Sequence, residues 1–431
     1  MRFVRRVANH PVAQNALGLY AIQFAGYIIP LVTLPYLARV LRPEGFGLLL
    51  FAQSFAAWAS LTVEYGFSLS AAREIAQNRG NKGLLSATAA GVLGAKAILL
   101  SGFFIIFGAA AWTVPNFRQH PIYLLWAFPL TLALGLSPFW YFQGTERMVR
   151  AVVVELLGRA GAAAFIFLAV RTPEDGWKAL ALQAAAGCAC TLTQTLWMYR
   201  DIGFRWPRWK DGIRALRVGW DMFLFRGAYN IYSTANAFIL GLFASSVQVG
   251  YYGGAERIAK ALQGLTLPLT QALYPRMSHL VSQSALKAAR FARFTLSLAG
   301  GSGLVLALAL ALSARWAATI ILGPGYQASV TVLYVFVLLL PVNAINGALI
   351  MQWMLPLGME RTIGKITLGA IAINLISAAV LAPRFAHVGM AWAILVAETC
   401  KFTALATILL RRGLDPVRGL RKSKAQSAEV L

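Results

Sequence analysis

Six basic residues, Lys96, Arg159, Arg226, Arg257, Lys260 and Lys401, stand inside long apolar runs of this chain. A charge in hydrocarbon is costly, so such a residue faces a wet passage, pairs with an acid or snorkels to the membrane edge. Three have an acid at helical spacing: Glu155–Arg159 and Glu256–Lys260 four apart, Glu398–Lys401 three apart. A pair of this kind is also a neutralised structural contact. Lys96 and Arg226 have no acid one turn away within their runs, which leaves them to attract an anion or to snorkel. Lys96, Arg159, Arg226 and Lys401 are therefore the candidate anion-binding cations. Glu64, Glu155 and Glu398 are the candidate pairing or ion-coupling acids, and Glu64 alone lacks a local basic partner.

A second constellation is neutral. Tyr229, Tyr232, Ser233 and Asn236 share one helical face through three- and four-residue spacing. Aromatic and amide groups together can stack on sugar rings and bond their hydroxyls, so Tyr229, Tyr232 and Asn236 join the candidate binding residues. The same groups also hydrogen-bond helix to helix inside membranes. Tyr20, Gln23 and Tyr27 make a similar stripe, and Asn343 and Asn346 follow Pro341. The chain contains no phosphate-binding loop, zinc spacing or nucleophile–base pair. No catalytic residue, metal site or cofactor is expected, only coupling to a proton or Na⁺ gradient. Cys188, Cys190 and Cys400 all lie within apolar runs and form no disulfide framework.

The elements that must position these residues are membrane helices. A hydrocarbon core needs about 20 apolar residues per helix. Twelve runs approach that length: 17–40, 47–69, 88–112, 121–142, 150–170, 178–199, 222–244, 254–274, 294–314, 328–355, 366–382 and 388–410. The chain is 58% hydrophobic and 13% charged, which excludes a soluble globular domain as the main reading. The fold class is an all-α polytopic membrane protein of twelve transmembrane helices. A net charge of +24 on a soluble chain would suggest nucleic acid, but here the cations flank membrane spans and anionic headgroups come first. With both termini in the cytoplasm, 26 of the 39 Lys and Arg fall on the cytoplasmic side and 7 opposite. The long apolar first run is read as a retained helix, not a cleaved signal.

The basic segment 200–221 divides the spans six against six. The expected organisation is an N-terminal six-helix lobe at 1–199, a cytoplasmic amphipathic linker at 200–221, a C-terminal six-helix lobe at 222–412 and a basic cytoplasmic tail at 413–431. Short matches support a repeat. Gly45-Phe46-Gly47 and Gly250-Tyr251-Tyr252 follow spans 1 and 7 at an offset of 205. Gly-x-Glu-Arg at 144–147 and 358–361 follows spans 4 and 10 at an offset of 214. An even number of spans per half gives both lobes the same orientation, with a central cavity that rocking would open to either side.

Five longer motifs carry a family resemblance: LPYLARVLRPEGFGLLLFAQSF at 34–55, YGFSLSAAREIA at 65–76, WYFQGTER at 140–147, VGYYGGAERI at 249–258 and LYPRMSHL at 273–280. In this order they resemble the Wzx-type polysaccharide-unit flippases of the multidrug/oligosaccharidyl-lipid/polysaccharide superfamily. The resemblance implies two six-helix lobes in the bacterial inner membrane. It implies a substrate of undecaprenyl-diphosphate-linked oligosaccharide, moved from the cytoplasmic to the periplasmic leaflet for O-antigen, capsule or exopolysaccharide synthesis. It also implies polymerase and export proteins as partners, and no nucleic acid. A drug or cation antiporter or a lipid II flippase of the same superfamily is the alternative, and the basic excess within the spans disfavours the antiporter. A membrane glycan polymerase would need a large external loop, and the longest expected here is 315–327. The chain is thus expected not to be an enzyme.

Overall fold

The computed structural model describes residues 11–416, without the side chains of 11–28, 221–233, 267–269 and 272. The described residues form helices joined by short turns and contain no strand. Helix α1, Pro11–Glu64, is two helices joined at Arg42, whose φ of 56° and ψ of 175° break the ladder between spans 1 and 2. Then come α2 (Phe67–Gln77), α3 (Lys82–Thr113), α4 (Pro115–Gln119), α5 (Pro121–Leu136), α6 (Phe139–Gly144), α7 (Met148–Ala169) and α8 (Gly176–Ile202). The chain continues through α9 (Trp209–Thr234), α10 (Asn236–Phe243), α11 (Ser246–Gly264), α12 (Leu267–Gln283) and α13 (Ala285–Ala317). It ends with α14 (Gln327–Ala348) and α15 (Glu360–Arg411). The last is again two helices, joined at Ala386 with φ 48° and ψ −125°.

The twelve expected spans lie in helical stretches, and four of them, 47–69, 121–142, 222–244 and 254–274, cross a break between two helices. Among the described residues, seven helical stretches are long and apolar enough to cross a membrane, and the two merged helices each carry a pair of spans. Their outer faces expose Leu157, Leu168, Leu304, Leu308, Leu312 and Ile376. Apolar exposure on this scale is tolerable only where lipid replaces water. The chain is an all-α polytopic membrane protein.

Contacts divide it into two compact units, 1–250 and 251–431. The basic segment 200–221 is helical from Trp209 and runs without a break into span 7. Close backbone approach holds α9 to the first unit. A Cβ on Gly212 would stand 2.8 Å from the Gly94 carbonyl carbon, and one on Gly91 3.4 Å from the Asp211 oxygen.

Each unit is closed at one end by the same construction. In the first, Glu146 (φ 59°) donates its N–H to Gln143 O and Arg147 donates to Phe142 O. In the second, Gly358 (φ 70°) donates to Leu355 O and Met359 donates to Met354 O. The backbone equivalence is therefore 212 residues, two short of the Gly-x-Glu-Arg match. The left-handed position is Glu146 in one half and Gly358 in the other, so the shared letters are displaced from the shared turn. Above these turns, Tyr141 OH reaches Asp201 at 3.3 Å, and Trp353 Nε1 donates to Leu414 O at 2.7 Å. Both bonds tie the turn to the chain at the end of its half's last helix.

The opposite loops of the first unit pack reciprocally. A Cβ on Gly47 would overlap the Ser246 carbonyl oxygen, and a Cβ on Gly250 would overlap the Pro43 carbonyl oxygen. The offset is 203 in both directions, so residue i meets j and the equivalent of j meets the equivalent of i. Both contacts lie within the first unit.

Candidate functional site

Among the described residues, the first unit buries one cation in its interior. Lys96, on α3, is 3% exposed. Its Nζ donates to the Ser137 carbonyl at 3.3 Å. That acceptor exists because α5 stops at Leu136 and Pro138 follows, which holds Ser137 extended and leaves its oxygen outside any helix. Ser137 Oγ donates to Gln194 Oε1 at 3.4 Å, and Gln194 Nε2 donates to Ala151 O at 3.2 Å. Glu64 acts electrostatically on Lys96 from the end of α1. Its carboxylate also accepts the N–H groups of Gly66 at 2.9 Å and Ser68 at 2.8 Å, so it caps α2.

The second unit holds a buried ion pair. Lys401 Nζ lies 2.5 Å from Glu398 Oε1, with side-chain exposures of 11% and 5%. Asn346 Nδ2 donates to Glu398 Oε2 at 2.8 Å and to the Glu398 carbonyl at 3.0 Å. Asn346 Oδ1 and Asn374 Nδ2 are buried and lack a hydrogen-bond partner among the described residues. Asn374 was absent from the sequence candidates, although a lone amide within an apolar run is a readable signal.

The remaining candidates separate. Arg159 and Glu155 pair at 3.6 Å on an exposed face of α7. Lys260 pairs with Glu256 at 3.1 Å, and Tyr252 OH donates to the same carboxylate at 3.0 Å. Asn236 is buried at the start of α10. Arg226, Tyr229 and Tyr232, with Tyr20, Gln23 and Tyr27, lie outside the described side chains. Ser54 was missed by sequence. Its hydroxyl donates to Thr234 O and accepts from Phe238 N at 3.1 Å, which satisfies the backbone at the break between α9 and α10.

The WYFQGTER motif proves to be a clasp. Arg79 donates to Gly144 O at 2.7 Å and pairs with Glu146 at 2.9 Å, while Arg147 pairs with Asp201 at 2.9 Å. The Arg79 guanidinium, by hydrogen bond and charge, holds the Glu146 carboxyl below the usual carboxylate range. A Cβ on Gly144 would stand 2.6 Å from Ile75 Cβ, so this turn seats directly on α2. The opposite end has its own fixed loop. Burial would raise the Asp175 carboxyl, but Lys178 at 2.6 Å and the N–H groups of Arg171 and Thr172 hold it far below the usual range.

Residues 12–281 match the model of the polysaccharide biosynthesis protein family. A protein of Escherichia coli (strain K12), whose given name proposes an O-antigen transporter, is 29% identical over 401 residues, covering 92% of this chain and 96% of its own. A protein of Shigella dysenteriae with the same name is 28% identical over 399 residues, covering 89% and 96%. Among solved structures, an inward-facing multidrug-resistance MATE transporter of the MOP superfamily superposes with a TM-score of 0.60. It is 15% identical and covers 93% of this chain and 100% of its own. That likeness speaks for the fold. The family-model match, which spans more than half of the chain, shows that it belongs to the polysaccharide biosynthesis protein family.

Proposed function

We propose that this protein moves undecaprenyl-diphosphate-linked oligosaccharide units from the cytoplasmic to the periplasmic leaflet of a bacterial inner membrane. The repeated clasp carries the reading: two units built on the same turn, 212 residues apart, suit two like-oriented lobes that alternate access to a shared passage. The polyprenyl tail stays in lipid, and the diphosphate and glycan need a wet passage with cations. Lys96, Arg159, Arg226 and Lys401 are the cations offered to the diphosphate. Tyr229, Tyr232 and Asn236 are offered to the sugars. Glu64, Glu155 and Glu398 stand as pairing groups, and Glu398 is the one offered to proton or Na⁺ coupling because its pair is buried. The protein does no chemistry on the glycan, and a polymerase and export proteins would receive what it delivers. Both termini are assigned to the cytoplasm.

The test is transfer of a lipid-linked oligosaccharide between leaflets of vesicles holding purified protein, with and without proton and Na⁺ gradients. Wild type should transfer it and Lys96→Gln should transfer it at least tenfold more slowly at equal incorporation. Equal rates would remove Lys96 from the site. Absence of transfer, with export of a cationic drug instead, would favour an antiporter.

A further inference from the structure

A cleft of about 490 Å³ lies in the first unit between α2, the start of α3 and the start of α9. Three guanidinium groups line it: Arg73 from α2, Arg205 from the segment before α9, and Arg214 from α9. All three are exposed, and none makes an ion pair or hydrogen bond among the described residues. Glu74 and Asp211 line it too, which leaves one net positive charge. The Glu74 carboxylate already accepts from Thr88 Oγ1 at 2.9 Å. The walls are fixed, because α9 is seated on α3 by the glycine contacts at 91, 94 and 212.

Two observations place this cleft at headgroup depth. Phe204, Trp206, Trp209 and Trp220 around the start of α9 are 53%, 80%, 68% and 50% exposed. Indole rings in that state favour the membrane–water interface. Leu84 and Val218 line the same cleft and are 48% and 60% exposed, an apolar margin beside a basic floor. Guanidinium forks match phosphate oxygens in pairs, and basic pockets between membrane helices are sites for lipid headgroups.

We propose that this cleft binds the headgroup of an anionic phospholipid of the phosphatidylglycerol class. The phosphodiester sits among Arg73, Arg205 and Arg214, an acyl chain leaves over Leu84 and Val218, and headgroup hydroxyls donate to Asp211. One net positive charge suits the single charge of a phosphodiester. A diphosphate carries more negative charge and would meet two carboxylates as well.

Native mass spectrometry of purified protein, titrated in detergent with phosphatidylglycerol, phosphatidylethanolamine or a polyprenyl diphosphate, tests this. Wild type should retain one phosphatidylglycerol per chain in preference to phosphatidylethanolamine. Each arginine contributes about fivefold in affinity, so Arg73→Gln with Arg205→Gln and Arg214→Gln should weaken retention about a hundredfold. The charge-matched control Arg200→Gln with Arg208→Gln and Arg217→Gln should retain the lipid. If the first triple variant fails to elute as a single species, Arg214→Gln alone should still show the fivefold loss. Equal weakening in both triples, an unchanged Arg214→Gln, or equal retention of phosphatidylethanolamine would overturn the proposal. Preferential retention of the polyprenyl diphosphate would overturn it in favour of a substrate vestibule.

Discussion

At the scale of single residues, helical spacing made three charge pairs readable in advance, and all three form. Glu155–Arg159, Glu256–Lys260 and Glu398–Lys401 meet because residues three and four apart share a helix face. Spacing could not reveal that Lys96 rests on a carbonyl 41 residues away, since that acceptor depends on where α5 ends. Nor could it reveal Asn346 on Glu398, a contact between two helices. The buried pair allows a sharp expectation. Lys401→Met leaves a carboxylate uncompensated and should cost about 3–5 kcal/mol, whereas Glu398→Gln with Lys401→Met should recover most of that. Thermal unfolding in detergent measures both. If Glu398 also carries the coupling, the stable double variant should flip substrate at a rate that no longer responds to an imposed gradient.

At the scale of elements, the sequence showed where helices run but not where they break. Hydropathy separated spans 1 and 2 correctly, yet the breaks at Arg42 and Ala386 sit on ordinary residues with positive φ, for which composition has no signal. Letter matches located the repeat to within two residues. The true offsets, 203 and 212, are carried by backbone contacts that many side chains permit. At the Gly47–Ser246 and Gly250–Pro43 seam, each opposing atom is a carbonyl oxygen, so an added methyl must move main chain. Gly47→Ala and Gly250→Ala should each lower the unfolding midpoint and slow transport at least severalfold, while Gly301→Ala, with open space around it, should do neither. The loop at the same end gives a pH test. Asp175 has a depressed carboxyl pKa in the folded protein, so its stabilisation is full above the unfolded value of about 3.9 and is lost as pH falls through the folded value. Asp175→Asn should therefore cost about 1–2 kcal/mol at pH 7, and the gap to wild type should narrow steadily below about pH 4.

At the scale of the whole molecule, the rocking of two lobes proposed above requires an element able to bend, and the first half of α1 is the one we propose. Pro30 and Pro35 each remove a backbone donor from this helix. Between them Thr33 Oγ1 donates back to the Ile29 and Pro30 carbonyls at 3.1 and 3.2 Å, a bond that itself bends helices. Pro30→Ala with Pro35→Ala restores two donors and leaves Thr33 in place, so the variant should hold a straighter helix without a cavity in the core. The expected outcome is a shift of the lobes toward one facing and slower transport. Spin labels at Glu174→Cys in the first unit and Gln327→Cys at the start of α14 in the second, both exposed and both at helix ends proposed to lie on the periplasmic side, report that shift as a narrowed distance distribution. The three native cysteines, Cys188, Cys190 and Cys400, are free thiols and must first be replaced. An unchanged distribution with unchanged transport would show that the prolines only shape packing, and would move the hinge to the second non-helical joint, at Ala386 in α15.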